Sequence, residues 1–198
     1  GVAYDNKATG LKISHFPVIH TRRGSIGYKL EFTPPNHPEK TFSMIYSGDT
    51  RPNWTMVEQA SGIDVLVHEI VMPADRWTMK FYHVGEEYQD DLDPNSLAYF
   101  TNVQNSSHTT QGAFGYMLSQ INPRPRLTVA THFPVSDDTV ACALRSVQAH
   151  CPDIKKMGDT LVWSFDAMVL RVFPDKIIQC RAVGNDYAFA TPPSVSYQ

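Results

Sequence analysis

Two short segments, Ile63 to Val67 and Leu127 to Thr131, are rich in branched apolar residues, show little alternation, and run directly into histidine. Runs of this kind mark strands buried on both faces, which need a sheet covered on either side. The rest of the chain supplies the covering elements. Trp54–Ala60, capped by Asn53 and stopped at Gly62, reads as a helix. So does Thr110–Ile121, with Phe114, Met117, Leu118 and Ile121 on one face. A further helix is expected after a Ser136 cap, with Asp137 and Asp138 in its first turn. Other strands are expected over Leu11–Ile19, Ile26–Phe32 and Thr41–Ser47, and a closing pair over Leu161–Phe173 and Ile177–Val183 around the Pro174-Asp175 turn. The fold class is therefore α/β. At 198 residues one domain, 1–198, is expected, with 73–104 a lid insertion of two short helices rich in aromatics and 184–198 an extended C-terminal arm.

Charge and cysteine usage narrow the partners. Seventeen basic residues against twenty acidic ones, net −3, give no global field for a polyanion, so nucleic acid is not the expected partner. A local basic groove would have to come from Arg22, Arg23, Arg51, Arg124 and Arg126, scattered over three loops. Three cysteines at irregular spacing suggest neither a disulfide framework nor a zinc ribbon, which mildly favours a reducing compartment such as the cytoplasm. No apolar run approaches the roughly 18 to 20 residues of a membrane span. Residues 1–10 lack the pattern of a secretory signal.

Eight histidines are the clue to chemistry. His20 follows Val18-Ile19, Asp49 follows the strand ending at Ser47, His68-Glu69 follows Val65-Leu66-Val67, and His132 follows Val129-Ala130-Thr131. In an open α/β sheet the carboxyl ends of strands are where ligands bind. Imidazoles with a carboxylate are what a borderline-soft divalent ion such as zinc takes. A single strand-end histidine serves equally well as a hydrogen-bonded structural group, and spacing alone leaves both readings open.

Local sequence goes further. Pro17-Val18-Ile19-His20 with Ile26-Gly27-Tyr28-Lys29, Tyr46-Ser47-Gly48-Asp49-Thr50-Arg51-Pro52, Val67-His68-Glu69, Ser107-His108-Thr109-Thr110 and Ala130-Thr131-His132-Phe133 occur in this order. Together they resemble the C-terminal half of metallo-β-lactamase-fold hydrolases, in the branch of ribonuclease Z and the arylsulfatase-like enzymes. The resemblance implies a four-layer αββα fold and a di-zinc hydrolase in which a metal-bound hydroxide attacks the substrate; other divalent metals would also serve. Carried over residue by residue, it implies that His20 ligates one metal, Asp49 bridges both and His132 ligates the second. His108 would assist proton transfer to the leaving group, and His68 and Glu69 would orient the ligands by hydrogen bonds from behind them. Of the remaining histidines, His37 and His150 are expected at the surface and His15 and His83 beside a pocket.

Two departures from that family carry expectations of their own. Its upstream His-x-His-x-Asp-His block has no counterpart here, so each metal would keep Asp49 and one histidine; the chain reads as part of a larger fold, its sheet face covered by a missing N-terminal half or by a second copy in a homodimer. No tRNA-gripping arm fits between Glu31 and Ser47, which turns the expected substrate toward a small ester or an activated aromatic, under a lid carrying Trp77, Phe81 and His83. The rival readings are a non-catalytic half-fold that docks a partner, and an arm-less ribonuclease Z-like phosphodiesterase.

Overall fold

In the computed structural model the described residues are 1–82, 92–133, 137–154, 160–183, 188–189 and 195–197. Seven strands form one mixed sheet in sequence order: β1 (Val2–Asn6), β2 (Leu11–Pro17), β3 (Ile26–Phe32), β4 (Phe42–Tyr46), β5 (Val65–Glu69), β6 (Leu127–Thr131) and β7 (Leu161–Trp163). Neighbours are antiparallel from β1 to β4 and parallel from β4 to β7. Parallel neighbours require crossovers, and these are helical. Helix α1 (Trp54–Ala60) joins β4 to β5; α2 (Ala74–Tyr82), α3 (Pro94–Ser107) and α4 (Gln111–Gln120) lie between β5 and β6; α5 (Asp137–His150) joins β6 to β7. A second, four-stranded sheet pairs β9 (Ile177–Val183) antiparallel with β8 (Met168–Val172), β10 (Ala188–Phe189) and β11 (Val195–Tyr197).

The two faces of the large sheet bury two cores. Ile45, Leu66 and Ala130 face Met56 of α1, Phe114 and Leu118 of α4 and Val147 of α5. The alternate residues Met44, Val65, Val67, Leu127 and Val129 face Ile177, Leu170 and Val172 of the second sheet. Each fully buried Leu, Ile or Phe contributes about 1.5 to 3 kcal/mol through the area it removes from water, so the period-two alternation sets which way every strand residue points. Between the sheets, toward β2–β4, Leu11, Leu30, Phe32, Phe42, Leu170 and Val172 line an apolar cavity of about 220 Å³. Among the described residues no helix is long and apolar enough to cross a membrane.

The structure differs from the sequence reading at several elements. The expected strand Leu161–Phe173 is two strands in different sheets: after β7 the chain turns through Phe165 and Ala167, with Met168 N–H donating to the Phe165 carbonyl at 3.0 Å and Ala167 at φ 62°. Strand β5 runs two residues later than Ile63–Val67, so His68 and Glu69 lie inside it; Asp64 just before it still accepts at its carbonyl from the Leu127 amide, while its side chain accepts from the Ser43 amide and pairs with Arg126. Strand β1 is exposed along most of its length and carries no buried apolar face to reveal it. Helix α3 spans 14 residues where a short one was expected, with Asp93 accepting from the Ser96 amide at its start. Within 184–198, expected as an extended arm, β10 and β11 pair with β9. The expected Ser136 cap and His83 lie outside the described residues.

Two residues with left-handed backbone predict substitutions of opposite sign. Gly10, at φ 74° in the β1–β2 turn, has no room for a Cβ against the Thr33 carbonyl, so Gly10→Ala is expected to destabilise by about 2 kcal/mol or more. Ala167→Gly relieves a left-handed alanine and is expected to gain somewhat less than about 1 kcal/mol after glycine's entropy cost. Urea unfolding midpoints of the two variants check both signs.

Candidate functional site

The carboxyl ends of β4, β5 and β6 point the same way, and the loops that leave them meet the segment before β3 and the start of α4. Strand β4 continues one ladder step past Tyr46, with Ser47 N–H donating to the Val67 carbonyl at 3.0 Å. Gly48 then turns at φ 61°, a conformation glycine adopts without steric cost, and presents Asp49. His20 is brought alongside by an isolated bridge between Ile19 and Arg51, with Arg51 N–H donating to the Ile19 carbonyl at 2.7 Å. Arg22 N–H, 3.3 Å from His20 Nδ1, holds that ring.

Glu69 and His68 point to opposite faces, as neighbours in a strand must. His68 lies on the helix side, fully buried, its Nδ1 2.6 Å from the Glu69 carbonyl and its ring 5.6 Å from that of Phe114. Burial pushes its pKa down to about 4. Among the described residues its Nε2 has no hydrogen-bond partner, and it belongs to neither group of converging donor atoms. Glu69, 1 % exposed, lies on the other side and accepts from the Thr50 amide at 2.5 Å and from His108 Nδ1 at 3.0 Å. A buried carboxylate without such partners would be costly, so these bonds fix the loops that supply them.

His108 ends α3 and is 9 % exposed at its side chain. The hydrogen bond to Glu69 raises its pKa above the ordinary imidazole value; burial opposes this, and the charges of Glu69 and Asp49 reinforce it. With Nδ1 committed to Glu69, Nε2 is the nitrogen left to face other groups. The His108 ring stands edge-on to His20 at 5.7 Å and stacks on His132 at 5.2 Å. His132 lies between two carboxylates, its Nε2 3.9 Å from Asp49 and its Nδ1 3.8 Å from Glu69. One donor atom each of His20, Asp49 and His108 lie within 4.8 Å of one another, and so do those of Glu69, His108 and His132. Asp49 and His132 are 47 % and 44 % exposed, so the cluster opens to solvent.

Five of the residues singled out in the sequence, His20, Asp49, Glu69, His108 and His132, thus meet in one place. Trp77 and Phe81 pack instead on Phe100 within the α2–α3 pair, at ring distances of 5.1 and 5.3 Å. His15 lies in β2 beside Gly1, whose amine donates to its carbonyl, and His37 pairs with Glu39 at the surface. Of the five arginines, Arg124 pairs with Asp153 and Arg126 with Asp64, the latter at the opposite end of the sheet.

Three hydroxyl residues were not singled out as functional in the sequence. Ser47 accepts from the Glu69 amide at 3.0 Å and donates to the Gly48 carbonyl at 2.6 Å. Thr50, fully buried, accepts at Oγ1 from the Ile19 amide at 3.1 Å and from Asn53 at 3.3 Å. Thr109, fully buried, donates to the Thr50 carbonyl at 2.6 Å. Their only signal was position, each being within two residues of Asp49 or His108.

No family model and no curated protein matches the chain. Among solved structures it is similar to the metallo-β-lactamase-fold protein YhfI from Bacillus subtilis, at 12 % identity and a TM-score of 0.45, over 82 % of this chain and 48 % of that one. The chain spans about half the length of that structure.

The two histidines give stability opposite pH dependences. An unfolded chain protonates His68 near 6.5 while the folded protein resists to about 4, so stability is complete above that window and falls by up to about 3 kcal/mol as pH drops through it. His68→Asn is expected to remove this loss. His108, raised when folded, contributes stability that is fully present below its unfolded pKa and is lost as pH rises through the folded one; Glu69→Gln is expected to erase it. Urea titrations at a series of pH values, in chelator, measure both.

Proposed function

We propose that this chain is the metal-holding, C-terminal part of a metallo-β-lactamase-fold hydrolase, acting on a small ester or an activated aromatic substrate. The observation that carries the reading is the convergence of His20, Asp49, Glu69, His108 and His132, from five separate segments, at the carboxyl ends of parallel strands. The five sequence blocks that resemble that family contain these same residues.

The donor set fits a divalent ion. Two imidazoles and a carboxylate are a familiar catalytic zinc set. The donor atoms of His20, Asp49 and His108 converge, as do those of Glu69, His108 and His132, and among these the resemblance assigns the ligand roles to His20, Asp49 and His132. In the four-layer fold the resemblance implies, Asp49 would be shared between two zinc ions. When bound, such an ion supplies Lewis acidity for hydrolysis at neutral pH.

The chain's own residues then divide the work. Glu69 takes the Nδ1 proton of His108 as a hydrogen bond, fixing the ring and favouring its charged form, so that His108 Nε2 can hand a proton to the leaving-group oxygen. Asp49 and His132 stay accessible to substrate, whereas Glu69 is sealed from it. A basic RNA groove is less well supported, because Arg124 and Arg126 are engaged in ion pairs away from the cluster.

Zinc is expected to raise the melting temperature of the metal-free protein by several degrees, and Asp49→Ala to abolish the shift. His108→Ala is expected to keep the shift and to slow hydrolysis of alkyl esters more than of p-nitrophenyl esters, whose leaving group needs no proton. No response to zinc in the parent protein would sink the metal reading, and loss of zinc binding in His108→Ala would make that residue a ligand.

A further inference from the structure

Thr109 stands at the start of α4, where a threonine is ordinarily explained as a helix cap. It does not cap that helix: the N-cap is Thr110, which itself makes no side-chain capping bond. The Thr109 hydroxyl is instead turned away from α4, without solvent exposure, onto the Thr50 carbonyl at 2.6 Å.

That bond closes a ring. The Thr50 amide donates to Glu69, Glu69 accepts from His108 Nδ1, His108 is joined to Thr109 by a peptide bond, and Thr109 donates back to Thr50. Asp49 hangs from the ring through its peptide bond to Thr50. His20 is tied to it one residue away, where the Ile19 amide donates to Thr50 Oγ1. Two loops that share no secondary structure are therefore held at a fixed separation by two links, the Glu69 carboxylate that accepts from both and one buried hydroxyl that bonds them directly. A histidine and a carboxylate that must face one site need that separation held to a fraction of an ångström.

We propose that Thr109 is a positioning residue: its hydroxyl locks the Asp49 segment against His108 and so sets the geometry in which the cluster takes up a divalent ion. The consequence for metal rests on the function proposed above; the lock itself does not.

The test compares the full chain with Thr109→Val, which keeps the shape and loses the hydroxyl, Thr109→Ser, which keeps the hydroxyl, and Thr78→Val. Thr78 is an equally buried threonine whose hydroxyl donates to the Ala74 carbonyl at 2.7 Å within α2, so it controls for the loss of a buried hydrogen bond as such. Two quantities are read: zinc affinity by competition with a chromogenic chelator, and hydrogen exchange of the Thr50 amide in metal-free protein, referenced to the Leu66 and Val67 amides of β5.

Thr109→Val is expected to weaken zinc binding on the order of ten- to a hundredfold, the range for partners that orient metal ligands, and to accelerate Thr50 exchange at least about tenfold over the β5 amides. Thr109→Ser is expected to restore both, and Thr78→Val to leave both as in the parent. Unchanged Thr50 exchange in Thr109→Val overturns the proposal, as does zinc affinity that falls equally in Thr78→Val or not at all. A parent chain that takes up no zinc removes the proposed function, and Thr50 exchange then decides the lock on its own. If Thr109→Val does not fold, Thr109→Cys, a weaker donor, replaces it, with Thr50 protection expected in the order Thr, Ser, Cys.

Discussion

One buried carboxylate organises the site. Glu69 ends β5 on the side facing the second sheet, 1 % exposed, where an unpaired charge would cost several kcal/mol. It is relieved by an amide from the loop after β4 and an imidazole from the end of α3, and neither segment is adjacent to β5 in sequence. Folding cannot satisfy Glu69 without bringing Asp49 and His108 together. The same contacts that make the buried charge tolerable therefore build the cluster. The alternation of β5 completes the division, since His68 one position earlier is sent to the helix side, where it stays neutral against Phe114.

Glu69 and His108 lie 39 positions apart, and all of α2 and α3 is looped out between them. Closing a loop of that length costs about 3 kcal/mol in chain entropy, more than the one charge-assisted bond reliably returns. The neck is sealed by further bonds: Val71 N–H to the Thr109 carbonyl at 3.0 Å, Gln104 to the Met72 carbonyl at 2.6 Å, and Gln111 to the Val71 carbonyl. The helix pair beyond that neck coheres around Phe100, leaving Phe81 and Tyr99 60 % and 64 % exposed. A unit held at its base and open at its rim can vary in surface residues without moving Glu69 or His108.

The elements most legible in the sequence were those marked by their apolar residues, β6 as an unbroken buried run and β3 by alternation: β3, α1, β6 and β9 fall where Ile26–Phe32, Trp54–Ala60, Leu127–Thr131 and Ile177–Val183 placed them. Strand β1 was invisible because its residues are mostly exposed and its stability comes from ladder bonds to β2 that no side-chain pattern records. The break between β7 and β8 was hidden because Val162 and Leu170 are apolar on both sides of it, and the turn rests on an alanine rather than a glycine. Within the site, charged and imidazole groups announced themselves by type. Thr50 and Thr109 did not, since a threonine acting through its hydroxyl and one filling space are spelled alike. Only the three-dimensional ring separates them.

The placement of His132 shows how much of the cluster depends on breaking regular structure at the right residue. Along β6, Leu127 and Val129 face the second sheet and Ala130 faces the helices. Continued alternation would send residue 132 to the helix side, away from Glu69. Instead His132 takes a left-handed backbone at φ 61°, a conformation that costs an L-residue about 1 to 2 kcal/mol but that histidine tolerates better than β-branched residues. The turn carries its ring round to within 3.8 Å of Glu69 and 3.9 Å of Asp49. Beyond β4, which lies across β5 from β6, Gly48 makes the same kind of turn, at the same φ, one residue before Asp49. Two parallel strands thus leave the sheet through the same backbone device, and each delivers a donor to one point. Strain held at a residue whose side chain joins the cluster, where a glycine would relieve it, is the mark of a position kept for its imidazole rather than for its turn.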